Sequence, residues 1–448
     1  MSHRKGHKGH KGKNALAVGL GLALVSLVAF IGCDPGLRAA PDATAVDKAF
    51  TRLWDAPDTS AAAKVVKDVV DAGVSFDEAW TRLKHGRVYS KDVARGQIRL
   101  KNRTSDGLQH DYAIVVPDNY DPSRAYQVRV QLHGGVSRES TDSARLGIDR
   151  IPGNPDQIYV HPVAWAQAKW WDRAQPENIL GILDRLKRTY NVDENRIYLT
   201  GISDGGTGTY FMAFRETTPW ASFLPLIGDM GVLADASITT DGDMHPGNAS
   251  NKPFFIVNSG RDRLYPTAIV EPDIKYLRRL GVQIVYHPQP ESGHDTNWWP
   301  NEKDNFEAFV REHPRNPLPD RLSWETERTD RYNRAHWLVI DTLGSTAGET
   351  LIPDSAYLFP QRETSGRVDL VRRGNTVEAS TRGVKEFTLL LSPDQFDFNS
   401  PVKVVTNGRT AFEGKVEKNA ATLLKWASHD NDRTMLFGAE LEIEVARK

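Results

Sequence analysis

The sequence predicts an α/β protein: a doubly wound, mostly parallel sheet with a short helical N-terminal prefix and a C-terminal all-β module. Three observations predict it. Residues 43–86 place apolar side chains at helical spacing. Between 95 and 315, short apolar runs alternate with segments of helical period. Residues 314–319 then carry three prolines, and beyond them the apolar period becomes two.

The elements follow in order. In the prefix, the clearest helix opens at Ser75, with Glu78 three positions on as a capping box, and Phe76, Ala79, Trp80 and Leu83 form its apolar stripe. This prefix is expected to pack on the main domain, with Trp80 as a packing contact. Residues 97–103 and 111–116 read as strands, and the Pro- and Asn-containing stretch 117–123 as a turn. Strands are expected at 127–132, 157–160, 196–200, 222–227, 253–258 and 282–286. Helices are expected at 176–190, 205–215, 267–280 and 301–313. In the last module, strands are expected at 335–343, 367–372, 376–380, 386–391, 402–406, 410–416 and 440–445, with Asn407-Gly408 as a hairpin turn. The organisation is therefore 1–33 leader, 34–94 tether and helical prefix, 95–315 main domain and 320–448 all-β, sandwich-like module.

Composition excludes several classes. The chain has 448 residues, net charge −1, 39% hydrophobic and 26% charged residues, and one cysteine. It is too apolar and too nearly neutral for a wholly disordered chain, and it has no global charge to draw nucleic acid. A single cysteine excludes an intrachain disulfide framework and a cysteine-built zinc site. The near-zero net charge hides an asymmetry. Arg4, Lys5, Lys8, Lys11 and Lys13 face no acid in residues 1–33, whereas 34–448 carry 52 bases and 58 acids.

The leader has the layout of an export signal: a basic, His-rich stretch to residue 14, then 18 uncharged residues, 15–32. Cys33 closes that run. Phe30-Ile31-Gly32-Cys33 resembles a bacterial lipobox, in which the cysteine is lipidated and becomes the mature N-terminus, and Asp34 resembles an inner-membrane retention signal. An uncleaved single membrane anchor and ordinary secretion are the alternatives. All three place the folded part outside the cytoplasm, at the cell envelope or secreted.

Gly201-Ile202-Ser203-Asp204-Gly205 fits G-x-S-x-G between an expected strand and an expected helix, which is the context the motif needs. Glycines at 201 and 205 give room for a sharp turn that holds the serine out at the sheet edge, and the helix N-terminus favours developing negative charge there. Alone, Ser203 reads equally as a helix N-cap. His133-Gly134-Gly135 ends an early apolar strand, and backbone N–H groups of Gly134 or Gly135 and of Asp204 suit an oxyanion hole. Asp262 and His294 each lie in a loop after a strand. Serine, aspartate and histidine thus fall on loops that converge at one edge of a parallel sheet. Asp262 reads otherwise as a turn residue paired with Arg261 and Arg263, and Asp295 is a weaker candidate acid because it adjoins His294.

Residues 95–315 resemble an α/β-hydrolase of the secreted esterase type. That group includes feruloyl and acetyl-xylan esterases, polyhydroxyalkanoate depolymerase-like enzymes and the related prolyl-oligopeptidase-like catalytic domains. The matching pieces are His133-Gly134-Gly135, the Gly201–Gly205 elbow, Asp262 and Gly293-His294. The resemblance implies Ser203 as nucleophile, Asp262 as acid and His294 as base. His133, Trp170, Trp171 and Trp298 are candidates for a substrate cleft that stacks on sugar rings or aromatic acyl groups, with simple packing as the alternative.

These features point to an exported serine hydrolase that cleaves carboxylic esters through an acyl-enzyme. The alternatives are a serine peptidase of prolyl-oligopeptidase-like type and a non-enzymatic surface binding protein on a hydrolase scaffold. No metal or organic cofactor is implied. The implied partners are an ester or peptide substrate, polysaccharide-linked esters included, and the membrane through an N-terminal lipid or anchor. Mass spectrometry of the mature N-terminus checks the leader: a lipid-modified Cys33 as first residue is expected, and an unmodified Cys33 still preceded by residues 1–32 refutes it.

Overall fold

A computed structural model describes residues 43–139, 154–235, 237–344, 358–359 and 362–446. The leader, Cys33 and most of the tether lie outside the described residues. The prefix is three helices, α1 (Ala43–Asp55), α2 (Thr59–Asp71) and α3 (Phe76–His85). Asp58 caps α2 by accepting the Ala61 N–H, and Ser75 caps α3 by accepting the Glu78 N–H. Only half of the expected capping box forms, because the Glu78 carboxylate pairs with Arg82, one turn on.

The sheet that follows has eight strands. They are β1 (Gly96–Arg103), β2 (Gln109–Val116), β3 (Tyr126–Leu132), β4 (Gln157–Pro162), β5 (Val192–Ile202), β6 (Phe223–Leu226), β7 (Phe254–Ser259) and β8 (Ile284–Gln289). Their order is β1-β2-β4-β3-β5-β6-β7-β8. β1 and β2 join antiparallel, and every pair from β4 to β8 is parallel. β6 and β7 are buried along their whole length. A parallel strand covered on both faces reads as such a run rather than as an alternation. Four helices cover the sheet: α4 (Ala174–Thr189), α5 (Asp204–Arg215), α6 (Thr267–Arg279) and α7 (Trp299–Glu312). Helix α5 is buried on all sides from Gly205 to Arg215, so its position is fixed by packing around its full circumference.

The C-terminal module has a two-sheet core. One sheet runs β16-β15-β13-β12-β9 and the other β10-β11-β14-β17. Its strands are β9 (Arg321–Thr326), β10 (Arg334–Ala335), β11 (Leu338–Leu343), β12 (Gly366–Arg373), β13 (Thr376–Arg382), β14 (Val384–Leu391), β15 (Val402–Thr406), β16 (Arg409–Gly414) and β17 (Ala439–Glu444). Trp324, Trp337, Phe387, Leu389 and Val404 fill the space between the sheets. Asn407 and Gly408, both at positive φ, join β15 to β16 in the tight turn their sequence favours. The strand expected at 335–343 is a hairpin instead. His336 sits at φ 52°, and Ala335 pairs with Leu338 across it.

Two elements of this module escape the sequence reading, β9 and the helix α8 (Ala420–Asp430). Helix α8 changes the account of the prefix. Val46, Phe50, Leu53, Ala62, Val69, Ala79 and Leu83 share one core with Leu423, Leu424 and Leu436. The prefix therefore packs chiefly on α8, not on the main sheet as expected. Trp80 stacks on Phe76, with ring centroids 5.9 Å apart, which agrees with a packing role.

Buried ion pairs weld the β module to the sheet domain. Arg215, at the end of α5, makes a bidentate pair with Glu327 at 2.7 and 2.8 Å, and His245 meets the same carboxylate at 2.8 Å. Arg315 binds Asp432 at 2.6 Å, and Arg433 binds Glu194 at 2.7 Å. Burial alone would raise the Glu327 carboxyl, but the hydrogen bonds of His245 and Arg215 outweigh it and hold the group far below the ordinary range. Glu327→Ala leaves the Arg215 guanidinium, 1% exposed, without its carboxylate. A loss of about 3–5 kcal/mol is expected, read as a lower urea midpoint. A depressed carboxyl stabilises the fold above its unfolded pKa and loses that effect as pH falls through the folded one. Stability of the wild type is therefore expected to fall more steeply on acidification than that of Glu327→Ala.

Candidate active site

Ser203 joins β5 to α5 at φ 57° and ψ −122°. Backbone of this kind is rare for any residue but glycine. Two neighbouring glycines make it possible. A Cβ on Gly201 would stand 2.0 Å from the Gly205 carbonyl oxygen, and one on Gly205 would stand 2.2 Å from that of Leu132. The Ser203 N–H donates to Leu226 O at 3.0 Å, which ties the turn to β6. The N-cap alternative does not hold: the side chain caps no N–H of α5.

The Ser203 hydroxyl points instead to His294. Its Oγ donates to Nε2 at 2.8 Å, and His294 Nδ1–H donates to Asp262 Oδ2 at 2.7 Å. The other Asp262 oxygen accepts the N–H groups of Leu264 and Tyr265, at 2.7 and 3.1 Å. The carboxylate side chain is fully buried and that of His294 is 25% exposed. A carboxylate so held fixes the imidazole in the tautomer that leaves Nε2 free to accept. Arg261 does not pair with Asp262; it reaches Glu291. Asp295 accepts the Asn297 N–H at 2.9 Å and so closes its own turn.

The expected oxyanion loop lies against the serine. A Cβ on Gly134 would stand 2.9 Å from Ser203 Cβ and 3.5 Å from Oγ, so only glycine lets the backbone approach this closely. Gly135 adopts φ 71°, again a glycine conformation. Asp204 is the first residue of α5, where N–H groups lack intrahelical partners. Its carboxylate has a further function that the sequence reading did not include: Oδ2 accepts the Val136 N–H at 2.9 Å and ties this loop to the elbow.

Four cleft candidates are corrected. His133 accepts the Ala164 N–H at Nε2, at 3.0 Å, and its Nδ1–H donates to Gly134 O, at 2.8 Å. Both ring nitrogens are used inside the protein, and burial lowers the affinity of the ring for a second proton. Trp170 is fully buried and donates to His133 O at 2.9 Å. His133 and Trp170 therefore brace the Gly134-Gly135 loop from behind. Trp171 and Trp298 are each 3% exposed and pack in the cores on either side of the sheet. Long loops beside the sheet edge need such anchors, and the tryptophans supply them. Tyr265 is a residue the sequence reading missed. Its ring meets that of His294 edge on, with centroids 5.8 Å apart.

No family model matches the chain. A curated relative, the bifunctional acetylxylan esterase/xylanase XynS20E of Neocallimastix patriciarum, is 24% identical over 129 residues. That match covers 28% of this chain and 19% of the relative, so the chain spans about a fifth of the length of the protein it matches. Among solved structures, a thermostable esterase is 19% identical and covers 49% of this chain and 63% of its own, with a TM-score of 0.39. The s-formylglutathione hydrolase FrmB of Staphylococcus aureus is 18% identical, covers 49% and 98%, and has a TM-score of 0.38. The acylaminoacyl peptidase of Pyrococcus horikoshii is 16% identical, covers 51% and 43%, and has a TM-score of 0.40. Likenesses this slight assign no activity. The architecture follows from the chain's own geometry: the sheet order, the strained serine between β5 and α5, and the aspartate and histidine after β7 and β8 are those of the α/β-hydrolase fold.

Proposed function

We propose that the chain is a serine hydrolase that cleaves carboxylic esters through an acyl-enzyme, with Ser203 as nucleophile, His294 as general base and acid, and Asp262 as the group that orients it. The observation that carries this reading is the unbroken relay from Ser203 Oγ to His294 Nε2, at 2.8 Å, and from Nδ1 to Asp262, at 2.7 Å, on a serine held in strained backbone.

The mechanism follows from those contacts. His294 takes the hydroxyl proton as Ser203 Oγ attacks the carbonyl carbon. Negative charge then moves onto the carbonyl oxygen, where the N–H groups of Asp204 and of the Gly134-Gly135 loop stabilise it. His294 gives its proton to the departing alcohol oxygen. Water, deprotonated by His294, next attacks the acyl-enzyme and releases the acid and the serine. Ester cleavage is placed before amide cleavage in this reading, and the curated relative, described as a bifunctional acetylxylan esterase/xylanase, is in keeping with it. The basic and apolar leader supports export of this activity, to the cell envelope or into the medium.

Labelling with a fluorophosphonate probe tests the assignment. Wild-type protein is expected to label, and Ser203→Ala is expected not to. Equal labelling of the two, or none in the wild type, overturns the proposal. Asp262→Asn is expected to lower kcat by about 10⁴-fold through the wrong imidazole tautomer. Esters are expected to turn over faster than peptide anilides; the reverse order favours a peptidase.

Gly134→Ala tests the oxyanion loop separately. The added methyl group meets Ser203 Cβ and displaces the loop, so kcat is expected to fall by about 10²-fold or more, as when one oxyanion donor is lost. Thermal denaturation of the variant checks that the fold is kept.

A further inference from the structure

Leu264 and Tyr265 take no part in the relay, yet the relay positions them. Both donate their backbone N–H to Asp262 Oδ1, so the carboxylate that orients His294 also fixes this pair. The Tyr265 ring lies edge on to the His294 ring at an interplanar angle of 69°. Burial and the neighbouring Asp204, Asp229 and Asp262 push its phenol up to about 12. The ring therefore stays uncharged throughout the neutral range.

The side chains beside it are unusual for their exposure. Leu264 is 57% exposed, and Ile269, in the first turn of α6, is 49% exposed. Two large exposed apolar side chains thus fall within four residues along the chain of a neutral aromatic ring that meets the base of the relay. Single exposed apolar residues need no explanation, but several on one segment that reaches a reacting centre gain free energy when a ligand covers them.

The side of the substrate that meets this cluster follows from the chemistry. During acylation the departing alcohol oxygen must come to His294 Nε2 to receive its proton. The carbonyl oxygen goes the other way, toward the Gly134-Gly135 loop. The loop that brings Tyr265 against His294 is therefore the one assigned to the alcohol half of the ester. We propose that Leu264, Tyr265 and Ile269 form the leaving-group subsite, and that the preferred esters carry an alcohol with an apolar or aromatic body. This rests on the ester-hydrolase reading above. A sugar alcohol would leave Leu264 and Ile269 without apolar contact.

Two pairs of substrates separate the subsites. The first pair, 1-naphthyl acetate and methyl acetate, shares an acyl group and varies the alcohol. The second, p-nitrophenyl acetate and p-nitrophenyl butanoate, shares the alcohol and varies the acyl group. Leu264→Ser is expected to lower the 1-naphthyl to methyl ratio of kcat/KM by about five- to tenfold, the scale of a lost apolar contact. Ile269→Ser is expected to shift it in the same direction. The butanoate to acetate ratio is expected to hold in both. Val88→Ser, at a position 93% exposed between α3 and β1, is the control and is expected to match the wild type throughout. Alcohol ratios within twofold of wild type in both variants overturn the proposal, as does a fall in the acyl ratio instead. If the wild type turns over none of the four esters, the ester reading fails and this proposal fails with it; fluorophosphonate labelling then shows whether the serine is reactive.

Discussion

Ser203 is held at φ 57° in a turn that its own side chain disfavours, and the surrounding structure is what keeps it there. Backbone in this region costs on the order of 1–3 kcal/mol and persists only where neighbours over-determine it. Here the neighbours are close on every side. Gly205 lies against the Leu132 carbonyl of β3, Gly206 against Gly228 after β6, and Gly208 against Trp170. Helix α5 is buried around its whole girth. The serine therefore cannot relax without lifting α5 off the sheet. That constraint fixes where the hydroxyl points, and the loops after β3, β7 and β8 are arranged around it.

The same logic extends beyond the sheet. Helix α5 ends at Arg215, whose guanidinium is locked by Glu327 of the C-terminal module. The helix that begins directly after Ser203 is thus pinned at its far end by the β module. Arg315 with Asp432 and Arg433 with Glu194 fasten that module at further points. Buried pairs of this kind add little net stability compared with apolar packing, but losing one partner leaves the other charge buried and uncompensated. The module's contact with the site runs through helix α5. The module sets the C-terminal end of α5, while the elbow sets the N-terminal end.

Much of this was legible in the sequence, for identifiable reasons. The elbow was legible because a sharp turn needs glycine at fixed offsets, and Gly201 and Gly205 stand at those offsets. The convergence of Ser203, Asp262 and His294 was legible because strand-to-loop order in a parallel sheet brings loops to one edge. Helix α8 was missed because its neighbours have strand period, although Asn419, which caps it through the Ala421 and Thr422 N–H groups, marked its start. β9 was missed because it follows three prolines closely. The break at His336 had no local signal at all. A histidine at φ 52° is set by tertiary contacts, here its Nδ1 bond to Pro317 O and the burial of Trp337.

The tryptophans show where residue type misleads. Trp170 and Trp171 follow β4 and Trp298 follows His294 closely, and aromatic residues on such loops suggest a stacking platform. In the fold they face inward. The reason is the length of the loops at this edge. A loop that must hold an N–H group or an imidazole to a fraction of an ångström needs an anchor with large buried area, and tryptophan supplies the most per residue. Trp170 does this for the Gly134-Gly135 loop by donating to His133 O, and Trp298 does it for the histidine loop by donating to Asp295 O. Large aromatics near such a site thus serve precision before they serve binding. The surface left for an apolar substrate falls to side chains that the relay itself holds in place, which is the position of Leu264 and Tyr265 on the Asp262 carboxylate.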